Sequence, residues 1–282
     1  MYSVDELNDR LIDLAFSEDI GDGDHTTLCC IPADAMGKSK LLIKEAGVLA
    51  GIRIAQIIFH RFDPELKVEV FMEDGARVEP GDVPMVVTGR VRSLLQTERL
   101  MLNVMQRMSG IATMTATYVA RLEGTRTHVL DTRKTTPGMR MLEKEAVKIG
   151  GGMNHRIGLF DMILLKDNHV DFAGGIANAL ERCRTYQQEK GLHLKVEIEV
   201  RSFDEIRQVL EHGGADRIMF DNFSVADTRK AVEMIGGRME TESSGGITLD
   251  TIRDYAECGV DFVSVGALTH SVKGLDMSFK AC

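Results

Sequence analysis

The chain has 282 residues, an apolar fraction of 44% and a formal net charge of −9. That is enough apolar mass for one large α/β domain or two medium ones. The acidic balance, few aromatics and no Trp argue against a broad nucleic-acid surface, which needs phosphate-neutralising cations and stacking rings. No apolar run reaches the roughly 18 residues of a membrane span, and the acidic start (Asp5, Glu6, Asp9, Glu18, Asp19) is unlike a signal peptide.

In chain order, residues 4–16 repeat Val4, Leu7, Leu11, Leu14 and Ala15 at helical spacing. The run Gly21-Asp-Gly-Asp24 breaks that pattern. Residues 25–92 then read as mostly β, with strands at 68–71 and 85–88, turn signals at Asp74-Gly75 and Pro80-Gly81, and one helix at 52–62. A long helix is expected from Ser93 to Met108. Ser93 and Gln96 have capping-box spacing there, Leu94, Leu95, Met101, Leu102, Met105 and Met108 form an apolar stripe, and Gly110 ends it. Its methionines read as adaptable core, and Arg99 falls on the polar face.

From residue 125 the texture becomes a βα series. Strands are expected at 127–130, 162–165, 195–200, 217–220, 239–241 and 262–265, with helices at 138–148, 173–189, 203–212, 225–235 and 249–258. Strands this dense in Val, Ile, Leu and Met suit a parallel sheet covered on both faces. Asp131, Lys166, Glu199, Asp221, Ser243-Ser244 and Gly266 fall at or just past the strand ends. So many contributing strands favour a barrel over an open sheet, and six candidates make it an incomplete or irregular one. The five cysteines are odd in number and form no CxxC, so reduced thiols in the cytoplasm are expected and a structural zinc is not.

The chemistry gathers in a few stretches. Asp131-Thr-Arg-Lys-Thr-Thr-Pro-Gly138, His155-Arg156 behind Gly150-Gly-Gly152, and Lys166-Asp-Asn-His169 concentrate cations in an acidic chain. Singly, Arg133, Lys134, Arg156 and Lys166 could be solvated surface charges; together they suggest a site for a small, highly charged anion. His155 could be a base, but its Arg and Gly neighbours suit anion binding better. Glu197 and Glu199, two apart in Val196-Glu-Ile-Glu-Val200, share one face of a strand. There an acid is costly unless paired with a cation. Glu199 with Asp221 could hold a hydrated Mg²⁺ or sugar hydroxyls. Ser243-Ser-Gly-Gly-Ile247 and Ser264-Val-Gly-Ala-Leu-Thr269 have the small residues of a phosphate nest, and no Walker or GxGxxG fingerprint accompanies them.

These stretches, with Thr97-Glu-Arg-Leu-Met-Leu-Asn103, Ser109-Gly-Ile-Ala-Thr113, Gly151-Gly-Met-Asn-His-Arg-Ile-Gly-Leu159 and Phe220-Asp-Asn222, strongly resemble the quinolinate phosphoribosyltransferase family and run in its order through most of the chain. The resemblance implies an N-terminal α/β sandwich domain over residues 1–111, joined by 272–282, and an incomplete, seven-stranded α/β barrel over 112–271. It implies transfer of phosphoribosyl from phosphoribosyl pyrophosphate to quinolinate with decarboxylation, giving nicotinate mononucleotide for NAD biosynthesis. By the family pattern Arg133, His155, Arg156 and Lys166 bind quinolinate, with Arg99 reaching in from the partner subunit of a homodimer; some members form hexamers. Lys134 falls between the two substrates, and Lys134, Glu199 and Asp221 make up the catalytic set. Glu199 and Asp221 also hold the ribose hydroxyls and Mg²⁺, and the 5′-phosphate rests on Ser244, Gly245, Gly246 and Gly266. Two other readings are a nicotinate phosphoribosyltransferase, which binds a monocarboxylate without decarboxylation, and a non-catalytic barrel that senses a phosphorylated metabolite. The spacing of Arg133, His155-Arg156 and Lys166 favours the dicarboxylate.

Overall fold

A computed structural model describes residues 3–282; residues 1 and 2, which open the expected first domain, lie outside them. The chain begins with α1 (Val4–Ile20), α2 (His25–Cys30), β1 (Met36–Ile43), β2 (Gly47–Val48), α3 (Ile52–Phe62), β3 (Lys67–Val70), β4 (Arg77–Val78) and β5 (Met85–Arg90). It continues with α4 (Val91–Arg121), β6 (His128–Leu130), α5 (Arg140–Ile149), β7 (Ile163–Leu165), α6 (Asp167–Ala173), α7 (Ile176–Lys190), β8 (Val196–Val200) and α8 (Phe203–His212). The remainder is β9 (Arg217–Asp221), α9 (Val225–Ile235), β10 (Glu240–Ser244), α10 (Ile252–Ala256), β11 (Phe262–Ser264), α11 (Ala267–His270) and β12 (Met277–Ala281). Two compact units result. The first takes residues up to 116, 134–151 and 267–282; the second takes 117–133 and 152–266.

In the first unit, Ser3 and Glu6 close a capping box at the start of α1, with Glu6 N–H donating to Ser3 Oγ at 3.1 Å and Ser3 N–H to Glu6 Oε2 at 2.6 Å. The helix buries Asn8 and Ile12 and leaves Val4 and Leu14 exposed, so its inner face is rotated from the expected stripe. An antiparallel sheet of order β12-β1-β5-β3 forms the unit's centre. Alternation in β1 buries Leu41 and Ile43; α3 buries Ile54, Ala55 and Ile58 and sets its Phe59 ring 5.8 Å from Phe279 of β12. The C-terminal strand returns to this sheet, with Leu41 opposite Phe279 and Ile43 opposite Met277. Residues 25–30, expected within the β region, form α2 instead, because Asp24 accepts the Thr27 N–H at 3.0 Å and caps a helical turn.

The long helix differs most from expectation. It starts at Val91, so Ser93 is inside it rather than capping it, and Ser93 Oγ donates to Asp63 Oδ2 at 2.7 Å. It also runs straight through Gly110 to Arg121. This glycine serves tertiary packing: a Cβ there would meet the Lys273 carbonyl oxygen at 2.2 Å. Residues 134–151, expected in the barrel, cluster with the first unit. Arg53 holds Glu145 with two nitrogens, and Arg107 pairs with Glu143, which tie α5 to α3 and α4.

The second unit is a parallel sheet of order β6-β11-β10-β9-β8-β7, each strand from β7 to β11 laid beside the last and β6 closing on β11. That succession is a barrel's. Its seventh position is a single bridge, Leu130 opposite Met153, and among the described residues no pairing joins Met153 to β7. The barrel is therefore incomplete, as expected. Strand β10 runs further than predicted, which brings Glu242 and Ser244 into the sheet.

Replacing Gly110 with Ala should force the segment around Lys273 off α4. Urea unfolding should show a loss of about 1–3 kcal/mol, the usual cost of overpacking. A neutral result would mean that the contact is not tight in solution.

Candidate active site

Parallel register converts the two-residue period of each strand into layers across the inner face of the second unit. Glu197 stands opposite Arg217, and Arg217 opposite Glu240. One layer higher, Glu199 stands opposite Met219, Met219 opposite Glu242, and Glu242 opposite Phe262. At the top, Asp221 stands opposite Ser244.

The lower layers are ionic, with Glu197, Glu242 and Arg217 buried and Glu240 and Lys195 reaching the surface. Arg217 donates Nη1 to Glu242 Oε2 at 2.9 Å and Nη2 to Glu240 Oε2 at 3.0 Å, and its guanidinium lies 4.0 Å over the Phe262 ring. Lys195 Nζ extends this ladder to Glu240 at 3.2 Å. Above it, His155 Nε2 is 2.9 Å from Glu197 Oε2 and 3.6 Å from Glu242 Oε2. The N–H of Arg156 donates to His155 Nδ1 at 2.7 Å, so the neutral ring carries its proton on Nε2, facing the two acids. Burial, reinforced by the charge of Glu197, pushes Glu242 up to about 8; the nearby His155 and Arg217 oppose this without winning. Burial likewise pushes Glu197 up to about 7 against the pull of Arg217. His155, Glu197 and Glu242 are the one group of metal-type donors that converges among the described residues, within 4.8 Å of one another. Arg217 already supplies Glu242 with a cation, so an ion is not needed there.

At the strand ends the balance reverses. Asp131, at the end of β6, accepts the His155 N–H at 2.9 Å, while Asp161 accepts the N–H groups of Ile157 and Gly158 at 2.7 and 2.8 Å. These bonds fix the irregular loop that carries Arg156. Arg156 is buried, and its Nη1 makes a long bond to the Met162 carbonyl at 3.4 Å. Its Nε and that of Arg133 are buried without a hydrogen-bond partner. Burial first, and the charge of Arg133 second, lower the Arg156 pKa. Two under-satisfied guanidiniums that repel each other have the chemistry to receive an anion. Lys166 Nζ lies 3.4 Å from both oxygens of Glu199. Asp221 is half-buried, and among the described residues no side chain pairs with its carboxylate.

Asn222, directly after Asp221, is the one non-glycine residue with a left-handed φ (56°) among the described residues. A Cβ on Gly245 (φ 95°) would strike Asn222 Oδ1 at 2.2 Å, and Asn222 N–H donates to the Ser244 carbonyl at 3.0 Å. Strain here is held by packing, as is common beside reacting groups. Ser264 Oγ donates to Ser244 Oγ at 3.0 Å, and the space beside Gly246 is open. Gly266 ends the unit just beyond β11. The second unit thus brings together Arg133, His155, Arg156, Lys166, Glu199, Asp221, Ser244, Gly245, Gly246 and Gly266 of the expected residues. Lys134 and Arg99 belong to the first unit. Arg99 is exposed and lines a cavity of about 260 Å³ with Glu18 and Asp19, so its own subunit does offer it acids, although no ion pair forms within 4.0 Å. Sequence reading passed over Glu242 and Arg217; only cross-strand register reveals them.

Such a barrel, with ionic lower layers and unsatisfied arginines at its strand ends, is built to handle a small polyanion. The description "Quinolinate phosphoribosyl transferase, C-terminal domain" matches residues 111–280, and the corresponding N-terminal domain matches residues 24–109. The chain belongs to the quinolinate phosphoribosyltransferase family. It is 46% identical over 285 residues to the chloroplastic nicotinate-nucleotide pyrophosphorylase [carboxylating] of Oryza sativa subsp. japonica, covering 96% of this chain and 76% of that protein. It is 40% identical over 269 residues to the probable nicotinate-nucleotide pyrophosphorylase [carboxylating] of Bacillus subtilis, covering 95% and 91%. The crystal structure of NadC from Streptococcus pyogenes superposes with a TM-score of 0.91 at 42% identity, covering 96% of this chain and 95% of that one.

Because Glu242 has a raised pKa, the folded state binds a proton that the unfolded chain has released between its ordinary value near 4.5 and about 8. Unfolding free energy should therefore fall as pH rises through that window and level off above it. Glu242→Gln keeps the shape without the charge and should flatten the dependence. Melting temperatures from pH 5 to 9 that show the same slope in both proteins would sink this assignment.

Proposed function

We infer that the protein is a decarboxylating quinolinate phosphoribosyltransferase, joining quinolinate to phosphoribosyl pyrophosphate and releasing CO₂ and pyrophosphate to form nicotinate mononucleotide in NAD biosynthesis. The observation that carries this is the pair of half-buried Arg133 and buried Arg156, each with a buried Nε that no protein group satisfies. Quinolinate has two carboxylates on one planar ring, and planar guanidiniums match that demand. Lys166 adds a third cation, drawn from its loose contact with Glu199.

In this reading Arg133, Arg156 and Lys166 hold the dicarboxylate, and His155 fixes Arg156 through its backbone N–H as well as lining the pocket. The ring nitrogen brings its own lone pair, so attack on the anomeric carbon needs orientation rather than a general base. Pyrophosphate departs through an oxocarbenium-like state, and Glu199 and Asp221, the carboxylates at the ends of β8 and β9, hold the ribose hydroxyls. The new pyridinium nitrogen stabilises charge at the neighbouring carbon, which lets its carboxylate leave as CO₂; that carbon keeps the electron pair and takes up a proton, giving nicotinate mononucleotide. Lys134 serves between the two substrates. Ser244, Gly245, Gly246 and Gly266 cradle the 5′-phosphate, a role supported by the strained Asn222–Gly245 contact and the open Gly246. The free Asp221 carboxylate with Glu199 fits a hydrated Mg²⁺, which binds through one or two carboxylates and substrate phosphates. Bound there, Mg²⁺ would neutralise charge on the pyrophosphate.

The active form in this reading is a homodimer in which Arg99 serves the partner's quinolinate, and hexamers can form from such dimers. Exposure of Arg99 and of the apolar Val4 and Leu14 supports it. Among the described residues no helix is long and apolar enough to cross a membrane. A cytoplasmic location belongs to the same proposal, supported by five cysteines that are all free thiols.

Purified protein given quinolinate, phosphoribosyl pyrophosphate and Mg²⁺ should release CO₂ and form nicotinate mononucleotide. Nicotinate should be a poor substrate because it leaves one guanidinium unmatched. Comparable rates with the two acids would overturn the dicarboxylate reading.

Shared sites can be tested by mixing inactive Arg99→Ala and Lys134→Ala chains. Random exchange makes about half the dimers mixed, each with one repaired site, so activity should approach about a quarter of wild type. If tags prove exchange and activity stays at the level of the single variants, Arg99 works within its own subunit.

A further inference from the structure

Arg107 and Glu143 have no part in the reaction just described, yet half-buried Arg107 pairs with a buried Glu143 in the first unit. Glu143 is fully enclosed, and Arg107 Nε donates to its Oε1 at 2.7 Å. The same guanidinium reaches two other chain segments: Nη2 donates to Thr136 Oγ1 at 2.7 Å and to the Thr269 carbonyl at 3.0 Å. Glu143 uses its second oxygen to accept the Thr136 N–H at 3.2 Å. Thr269 Oγ1 then donates to the Lys134 carbonyl at 2.9 Å. The backbone from residue 134 to 136 is thus tied to α4, α5 and α11, in a stretch with no helix or strand of its own.

We propose that Arg107, Glu143 and Thr269 form a clamp whose task is to fix the backbone under Lys134, making them positioning residues for phosphoribosyl transfer. The proposal rests on the reading above that Lys134 serves the two substrates. Lysine carries its charge on a long, flexible stem, so the place of that charge depends on how firmly its Cα is held. Stability alone does not call for this arrangement, since a well-packed apolar replacement of a buried ion pair is often neutral or better. The geometry also uses the arginine fork: Nε serves Glu143 while Nη2 serves Thr136 and Thr269, two separated donor positions that a single ammonium nitrogen does not have.

Three variants of the full-length protein separate the possibilities. Arg107→Lys keeps the charge beside Glu143 and loses the fork. Thr269→Val removes the hydroxyl bond to the Lys134 carbonyl and keeps the Thr269 carbonyl that Arg107 uses, a mild change that should fold even if Arg107→Lys does not. Thr269→Ser restores that bond. Thermal unfolding checks the fold, hydrogen–deuterium exchange of the peptide spanning 131–139 reads the loop without turnover, and kinetics with calorimetry separates kcat from quinolinate binding. In Arg107→Lys and Thr269→Val the loop amides should exchange at least about tenfold faster, with kcat falling about tenfold to a hundredfold, as expected for a displacement of an ångström or less. Quinolinate affinity should stay within about twofold, since that site lies with Arg133 and Arg156. Thr269→Ser should match wild type. Unchanged loop exchange in folded Thr269→Val overturns the clamp. Faster exchange with unchanged kcat makes it merely structural and overturns the positioning role. If the wild-type protein itself transfers no phosphoribosyl group, the assigned reaction fails instead, while loop exchange still reports on the clamp.

Discussion

A carboxylate on the inner face of a covered parallel sheet must have a cation within reach or hold a proton, and the chemistry of this protein follows from how that demand is met. Glu242 and Glu197 are completely enclosed, and β9 places Arg217 level with Glu197 and one layer below Glu242, to which it donates. Arg217 comes from below, through Glu240 and the Phe262 ring, so the acids are matched from the lower end of the barrel. His155 meets them from above. The guanidiniums of Arg133 and Arg156 are therefore not consumed in neutralising the core. Had Arg156 turned down to Glu197, the strand ends would have lost the charge that an anionic substrate needs.

The same division explains why backbone strain collects at one end. The lower layers are held by a ladder of ion pairs among strand residues, whose positions the sheet already fixes. At the strand ends the chain must turn sharply while presenting Asp221 and the small residues after Ser244. It does so with Asn222 in a left-handed conformation packed on Gly245, where no other residue fits. Asp131 and Asp161 hold the Arg156 loop in a comparable way, by accepting backbone N–H groups. Rigid backbone carries cations that lack partners of their own.

Much of this was legible in the sequence because its signals are local. The alternation in Val196-Glu-Ile-Glu-Val200 gave the shared inward face of Glu197 and Glu199, and the Gly-rich strand exits gave the turns at 244–246 and 266. Features that depend on contacts distant in sequence were hidden. Gly110 reads as a helix stop, yet it is needed because the chain at Lys273 passes against it. Residues 134–151 follow a barrel strand in sequence, yet Arg53 and Arg107 draw them into the first unit. Arg217 and Glu242 look like ordinary strand-end charges until the register sets them side by side.

If Arg133 and Arg156 hold the substrate as proposed, selectivity for a dianion follows from the state of the free protein. Arg133 already disfavours the charged form of Arg156, and burial disfavours it further. Both costs are present before any substrate arrives, and both are relieved in proportion to the negative charge placed between the guanidiniums. A monocarboxylate relieves part of this and leaves one buried cation facing only its neighbour. A ring with two adjacent carboxylates relieves nearly all of it, and does so with the planar geometry that two forks require. Discrimination thus needs no steric exclusion of the smaller acid: the penalty for an unmatched buried charge supplies it.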